Sequence, residues 1–173
     1  MNPKCGTQLF VLPIETPEGK FIARYSEKGL SGLEFPDGAI SSRAKTENGA
    51  VIPRPIRNWH RTASRALARV LAGKAPEKLP PLDLSSGTNF QRCVWKALQK
   101  IMPGQTRSYG EVARRIGRPK AVRAVGGACG ANPIPVLIPC HRVLAANRKP
   151  GGFSGGLDWK RTLLAREGFS FAR

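Results

Sequence analysis

Between Lys74 and Ser86 the chain carries Pro76, Pro80 and Pro81 and no periodic apolar pattern. Proline fixes its own backbone and withholds a donor, so neither a helix interior nor a central strand crosses such a segment. Before it the apolar residues sit in short runs broken by turn signals. After it they recur at helical spacing. The 173 residues leave room for one ordinary domain or two small ones. The expectation is an α/β (α+β) chain in two parts. Residues 1–87 form a small N-terminal antiparallel sheet plus helix, with residues 74–87 as a Pro-rich linker. Residues 88–173 form an α-rich C-terminal domain with a helix-turn-helix.

In the first part, Gln8–Leu12 reads as a strand ending at Pro13. Lys20–Tyr25 follows the turn Pro17-Glu18-Gly19, and Leu30–Phe35 follows Lys28-Gly29. Residues 39–57 are polar and aperiodic and read as a mobile loop. Asn58 is placed to cap a helix from Trp59 that ends at Gly73. Its apolar face holds Trp59, Ala63, Ala66, Leu67, Val70 and Leu71, and Arg61, Arg65 and Arg69 form a solvated stripe.

Beyond the prolines, Thr88-Asn89-Phe90-Gln91 and Ser108-Tyr109-Gly110-Glu111 are capping boxes that open two helices. The first presents Phe90, Cys93, Val94, Ala97, Leu98 and Ile101. After the second, Gly117-Arg118 makes a turn, with Pro119 as the first residue of a helix over about 120–128. Helix, tight turn and helix within so few residues is a helix-turn-helix pattern. In the last of these helices Val122, Val125 and Cys129 face inward, while Lys120, Arg123 and Gly127 share the opposite face. Ala121, Ala124, Gly126, Gly127 and Ala128 are costly for helix stability. They allow a very close approach, either by DNA or by a packed helix. Val136-Leu137-Ile138 reads as a strand, and a last helix runs over about 158–167.

The charge narrows the partner. Lys and Arg number 29 against 11 Asp and Glu, for a net +18. From residue 89 onward there are 16 basic and 3 acidic side chains. Self-repulsion on that scale disfavours a compact state, and a polyanion relieves it, nucleic acid being the commonest. No run reaches the roughly 18 apolar residues of a membrane span, and no secretory signal is visible at Met1–Gly6. Four irregularly spaced cysteines are not a disulfide framework. A reducing compartment is expected: the cytoplasm, or the nucleus in a eukaryote. Cys5, Cys93, Cys129, His60 and His141 are scattered, so no metal is expected. His60 reads as a partly exposed surface histidine.

Cys140 stands apart, because it lies between Pro139 and His141 with Arg142 nearby. A thiol becomes a nucleophile when a base or a cation raises its thiolate fraction. Adjacent side chains tend to point apart, so direct contact is not assured, and a water between them would let His141 act as a relayed base. It then needs a carboxylate to orient it. The C-terminal half offers only Glu111, Asp158 and Glu167. Glu111 caps a helix and Asp158 suits a helix start, whereas Glu167 sits at a helix end, where the dipole disfavours it. That invites a functional role; an ordinary surface pair with Arg166 is the plainer reading.

These blocks together resemble the O6-alkylguanine-DNA alkyltransferases, also called methylated-DNA–protein-cysteine methyltransferases. The likeness runs from Phe90 to Gly168. It rests on Ser108–Ala113, Arg123–Gly127, Gly130–Pro135, Pro139–Val143, Ser154–Leu157 and Leu163–Gly168, in order and spacing. Thr16–Gly19 and Gly29–Asp37 match more loosely. The resemblance implies that Cys140 accepts an alkyl group from O6-alkylguanine in double-stranded DNA, once and irreversibly. His141 deprotonates it through water and Glu167 orients His141. Asn132 shapes the active-site turn, and Tyr109 assists the leaving guanine. Ser154 bonds the base, Arg123 fills the gap left by the flipped nucleotide, and Pro135, Phe153 and Gly155 wall the pocket. Lys120, Ala121, Ala124, Gly126 and Gly127 meet the minor groove without sequence preference. No cofactor and no membrane are implied, and the working form is a monomer. The zinc ligands of some eukaryotic members are missing, and Phe153 replaces a tyrosine of some relatives. A helix-turn-helix sensor of alkylated DNA that transfers nothing is the alternative, against which the joint presence of Cys140, His141 and Glu167 counts. A cysteine hydrolase would need an oxyanion hole and an acyl substrate, and nothing in the sequence suggests either.

Overall fold

The structure is a computed structural model that describes residues 9–36 and 51–171. Strands β1 (Phe10–Thr16), β2 (Gly19–Ser26) and β3 (Gly29–Glu34) form an antiparallel sheet in the order β1-β2-β3. The register sets Phe10 opposite Tyr25 and Ile22 opposite Glu34, with a bulge at Arg24/Tyr25. β1 does not stop at Pro13 as expected, but continues through it, with Pro13 paired to Ile22. An edge strand tolerates a missing donor, and β1 is at the edge.

Helix α1 (Arg54–Leu71) buries Ile56, Ala63, Ala66, Leu67, Val70 and Leu71. It begins four residues or more before the expected Trp59 start, so residues 54–57 are helical rather than loop. Asn58 is inside it, not its cap; Pro53 precedes the helix, and a proline occupies its first turn, where no backbone donor is needed. Residues 39–50 of the expected loop, and Cys5, lie outside the described residues. His60 is half-buried against the sheet. Its Nδ1 is 3.1 Å from the Tyr25 hydroxyl, and Pro13 bonds it through the backbone.

The proline-rich segment runs along β3. The Leu30 N–H donates to Pro81 O at 2.8 Å, and the Asp83 N–H donates to Leu30 O at 2.8 Å. Gly29 must be glycine there: its φ is +146°, and a Cβ would lie 2.2 Å from the Pro81 oxygen.

Helix α2 (Asn89–Leu98) follows with the Thr88–Gln91 capping box formed in both directions. Trp95, not Cys93, is its buried anchor; Cys93 is exposed. The indole N–H of Trp95 donates 2.7 Å to Ala128 O, which fastens α2 to the end of the helix-turn-helix. Strand β4 (Arg107–Ser108) pairs in parallel with β5 (Val143–Leu144). Helix α3 (Tyr109–Arg115) starts at the second capping box, Ser108 with Glu111. Helix α4 runs from Val122 to Gly130, so Pro119 belongs to the turn rather than to the helix start. Val122 is 40% exposed instead of inward, while Val125 and Cys129 pack as expected.

Val136–Ile138 is not a strand. Residues 135–138 form a tight turn bridged between Pro135 and Ile138, with Val136 at φ +73°. Flanking prolines and local hydrogen bonds hold the apolar run folded on itself rather than extended. Helix α5 (Leu157–Arg166) closes the structure on Leu163 and Leu164. One hydrophobic cluster is continuous from the sheet through α1 and α2 to Val143 and Leu163. No described helix is long and apolar enough to cross a membrane.

Candidate active site

Asn132 organises the segment that carries the cysteine. Its side-chain oxygen accepts from the Ile134 N–H at 3.1 Å. Its amide donates to Ile138 O at 2.8 Å and to Cys140 Sγ at 3.1 Å. The strained turn is thereby tied to the sulfur: a β-branched residue at positive φ persists only where its surroundings over-determine it. Cys140 then opens a one-turn 3₁₀ helix, Cys140–Arg142.

His141 is fully buried, with Nε2 3.0 Å from Glu167 Oε1. Nδ1 is also buried, and no described residue bonds it. Arg142 grips the same carboxylate, Nη2 to Oε1 at 2.8 Å and Nε to Oε2 at 3.0 Å, and also donates to Ile101 O. The Gly104 N–H adds a bond at 3.3 Å. These donors explain how an acid survives at the end of α5. Glu167 does not pair with Arg166, which instead meets Glu18 at 2.6 Å and Leu71 O at 2.8 Å.

The proton affinities follow from this wiring. Burial works to raise Glu167, but the His141 and Arg142 bonds outweigh it and hold the carboxyl below its usual range. Burial lowers His141 against the pull of Glu167, so the imidazole is neutral near pH 7. Burial pushes the Cys140 thiol up, opposed by the Asn132 bond and the Lys160 charge. Tyr109 is raised by burial and then by the neighbouring sulfurs, which keeps its phenol protonated.

Lys160 is a component that the sequence reading missed. It is fully buried, and its ammonium donates to Val143 O at 2.6 Å. Burial brings it down to about 8, against the raising influence of Cys140 and Cys129. Its spacing to Leu163 and Leu164 set it on the apolar face of α5, which was the available signal. Arg142 was read only as a cation near the thiol, not as the clamp on Glu167.

A cavity of about 580 Å³ opens over Cys140. Tyr109, Arg123, Gly126, Cys129, Phe153 and Ser154 are among its lining residues. Arg123 and Ser154 are exposed at it, and Lys120, Ala124 and Gly127 are exposed along α4, with Ala121 half-buried just before it. Cys129 was expected only as core; it reaches this cavity, and burial pushes its thiol to about 12. Pro135 and Gly155 do not line the cavity as expected. Pro135 is buried in the turn below. Gly155 lies on the Phe35 ring, where a Cβ would meet carbon at 2.5 Å. Phe35 stacks on Phe153 and Trp159 with ring centroids 5.7 Å and 5.0 Å away, so the sheet holds the loop that walls the cavity.

Of the small residues of α4, Ala124, Gly127 and Gly130 face outward, Gly126 is half-buried, and Ala128 is buried against α2. A Cβ at Gly127 or Gly130 would meet nothing within 4 Å, and one at Gly126 only Tyr109 at 3.9 Å. Packing within the molecule does not require those glycines.

Fold and site together define a protein with a buried cysteine thiol at the floor of a cavity beside a helix-turn-helix. Residues 89–169 match the family model for the DNA binding domain of 6-O-methylguanine DNA methyltransferase. The chain is 43% identical over 157 residues to the methylated-DNA–protein-cysteine methyltransferase of Methanosarcina acetivorans, covering 89% of this chain and 95% of the relative. It is 54% identical over 105 residues to the one from Mycolicibacterium paratuberculosis, covering 61% and 63%. Among solved structures it is similar to Mycobacterium tuberculosis OGT in complex with DNA, with a TM-score of 0.72 and 36% identity over 92% of this chain and 91% of that one. The chain belongs to the methylated-DNA–protein-cysteine methyltransferase family.

Proposed function

We propose that this protein repairs alkylated DNA by transferring the alkyl group of O6-alkylguanine to Cys140. The observation that carries the reading is the pairing of a cavity-floor thiol with a buried, neutral histidine. That histidine has one nitrogen bonded to Glu167 and the other without a partner among the described residues. With Nε2–H donating to Glu167, Nδ1 keeps its lone pair. It takes the thiol proton through a water, and the imidazolium that forms is stabilised by the carboxylate. The Asn132 amide and the Lys160 charge favour the thiolate.

The thiolate sulfur attacks the alkyl carbon as the bond from that carbon to O6 breaks. The electron pair leaves on the guanine oxygen, and the protonated Tyr109 supplies its hydrogen bond or proton. The product is a thioether with no route back, so each molecule acts once. A base inside a duplex is out of reach, and extruding it costs a few kcal/mol. Arg123, exposed at the cavity, fills the space it leaves. The open glycines of α4 suit a minor-groove approach, and phosphate contacts supply sequence-independent affinity. The protein works as a monomer on double-stranded DNA in a reducing compartment.

The test is intact-protein mass after incubation with a duplex holding one O6-methylguanine. One methyl per chain, mapped to Cys140 and absent in Cys140→Ala, is expected. Tight lesion binding with no mass gain would instead make the protein a damage sensor.

A further inference from the structure

Helix α1 keeps a face that neither the core nor the cavity uses. Arg54, Arg57, Arg61 and Arg65 fall within an arc of about 80° at 3.6 residues per turn, and span about 16 Å along the axis. All four are exposed, and among the described residues none has an ion pair or a side-chain hydrogen bond. Arg69 is different: it donates to Ala75 O and pairs with Glu77 at 2.8 Å. The stripe read from the sequence therefore loses Arg69 and extends about two turns toward the helix N-terminus.

The fold gains nothing from this row. Like charges three and four residues apart disfavour a helix, and cations in a first turn oppose the dipole. α1 contains no Asp or Glu to offset either effect. A fixed row of guanidiniums suits a regular array of anions, and the charge-assisted bond to phosphate is what Arg makes best. We infer that the Arg54–Arg65 face of α1 is a second contact surface for the DNA backbone, separate from the helix-turn-helix and its cavity. α1 packs on β1, β3 and α5, whereas the cavity is built on α3, α4, Cys140 and residues 152–154. The apolar side of α1 is consumed in the core, so no apolar face is left to enter a membrane surface. The row also lacks the aromatic and aliphatic anchors of a protein interface. The choice of DNA rests on the repair reading above.

The experiment compares the wild type with the fourfold variant R54Q/R57Q/R61Q/R65Q and its fourfold Lys counterpart. Binding to a lesion-free duplex is followed as salt rises, and alkyl transfer from free O6-benzylguanine is timed in parallel. Each phosphate contact contributes about 0.9 to the slope of log K against log salt. The Gln variant should lose a slope of about 2 to 4 and at least tenfold in affinity at low salt. The Lys variant should keep both, and all three should transfer from the free base at one rate. An unchanged slope in the Gln variant overturns the inference. So does a slope that falls together with free-base transfer in both variants, which marks a folding defect. Loss of binding to phosphatidylserine vesicles with an unchanged DNA slope overturns it in favour of a lipid surface. If the wild type transfers nothing while the slope still falls, the repair reading fails and the DNA surface stands.

Discussion

Asn132→Ala removes one donor from the Cys140 sulfur, and the geometry sets the size of the effect. The residue is 6% exposed, and its amide lies 3.1 Å from Sγ. A hydrogen bond to an ionised group contributes about 1.5–3 kcal/mol, and about 1.36 kcal/mol corresponds to one pKa unit. The Cys140 thiol should therefore rise by about one to two units. While thiolate is the minor species the rate follows its fraction, so transfer at pH 7 should slow by about 10- to 100-fold. The fold should survive. The Ile134 N–H loses its partner, a buried orphan costing about 1–3 kcal/mol. Ile138 O keeps the Cys140 N–H at 2.7 Å. The assay is single-turnover transfer from a labelled lesion duplex across pH, with thermal unfolding measured alongside. The variant's profile should move to higher pH and recover its rate there. A profile lowered at every pH with its inflexion unmoved would refute the electrostatic role and leave Asn132 a purely geometric one.

Three further outcomes follow from the same wiring. Lys160→Met should slow transfer at least tenfold at neutral pH without lowering the melting temperature, since an ammonium held near 8 with backbone carbonyls rather than a carboxylate as partners costs roughly 3 kcal/mol to bury; a lower melting temperature with transfer intact would sink this. Gly127→Ala should stabilise α4 by up to about 1 kcal/mol, because a Cβ there meets nothing, and should weaken duplex binding; chemical denaturation and a binding titration read both. His141 and Glu167 both have folded pKa values below their ordinary 6.5 and 4.5, so the unfolded chain protonates first. Stability should be full above pH 6.5, begin to fall below it, and fall further below 4.5 until the lowered folded values are passed, as seen in urea midpoints; midpoints flat from pH 8 to 4 would contradict the assignment.

Much of this was legible because it is local. Both capping boxes, the face of α1 from Ala63 to Leu71 and the stop at Gly73 are written in residues a few positions apart. The acceptor segment was legible as a string of residue types around Cys140. Its shape was not: Val136–Ile138 carries the composition of a strand, and the flanking prolines, local backbone bonds and the side chain of Asn132 together fold it into a turn. Glu167 was singled out by its awkward place at a helix end, yet its clamp by Arg142 joins residues 25 apart. Lys160 was passed over because a lysine between Trp159 and Arg161 looks solvated. Its burial depends on carbonyls from two other segments. Cys93 and Cys129 sit on equally apolar stretches, and tertiary packing alone exposes one and brings the other to the cavity.

The seat of Gly155 on the Phe35 ring bears on how this protein can diverge. The support of the cavity wall is spread over two distant stretches of sequence, one of which does not line the cavity. Phe35 can change only if Phe21, Phe153, Gly155 and Trp159 accommodate it, so those five positions should drift together. A new preference in alkyl group size can then arise from a substitution in the N-terminal sheet, leaving every reacting residue as it was. Selection for a wider pocket has a target that an inventory of catalytic groups would overlook.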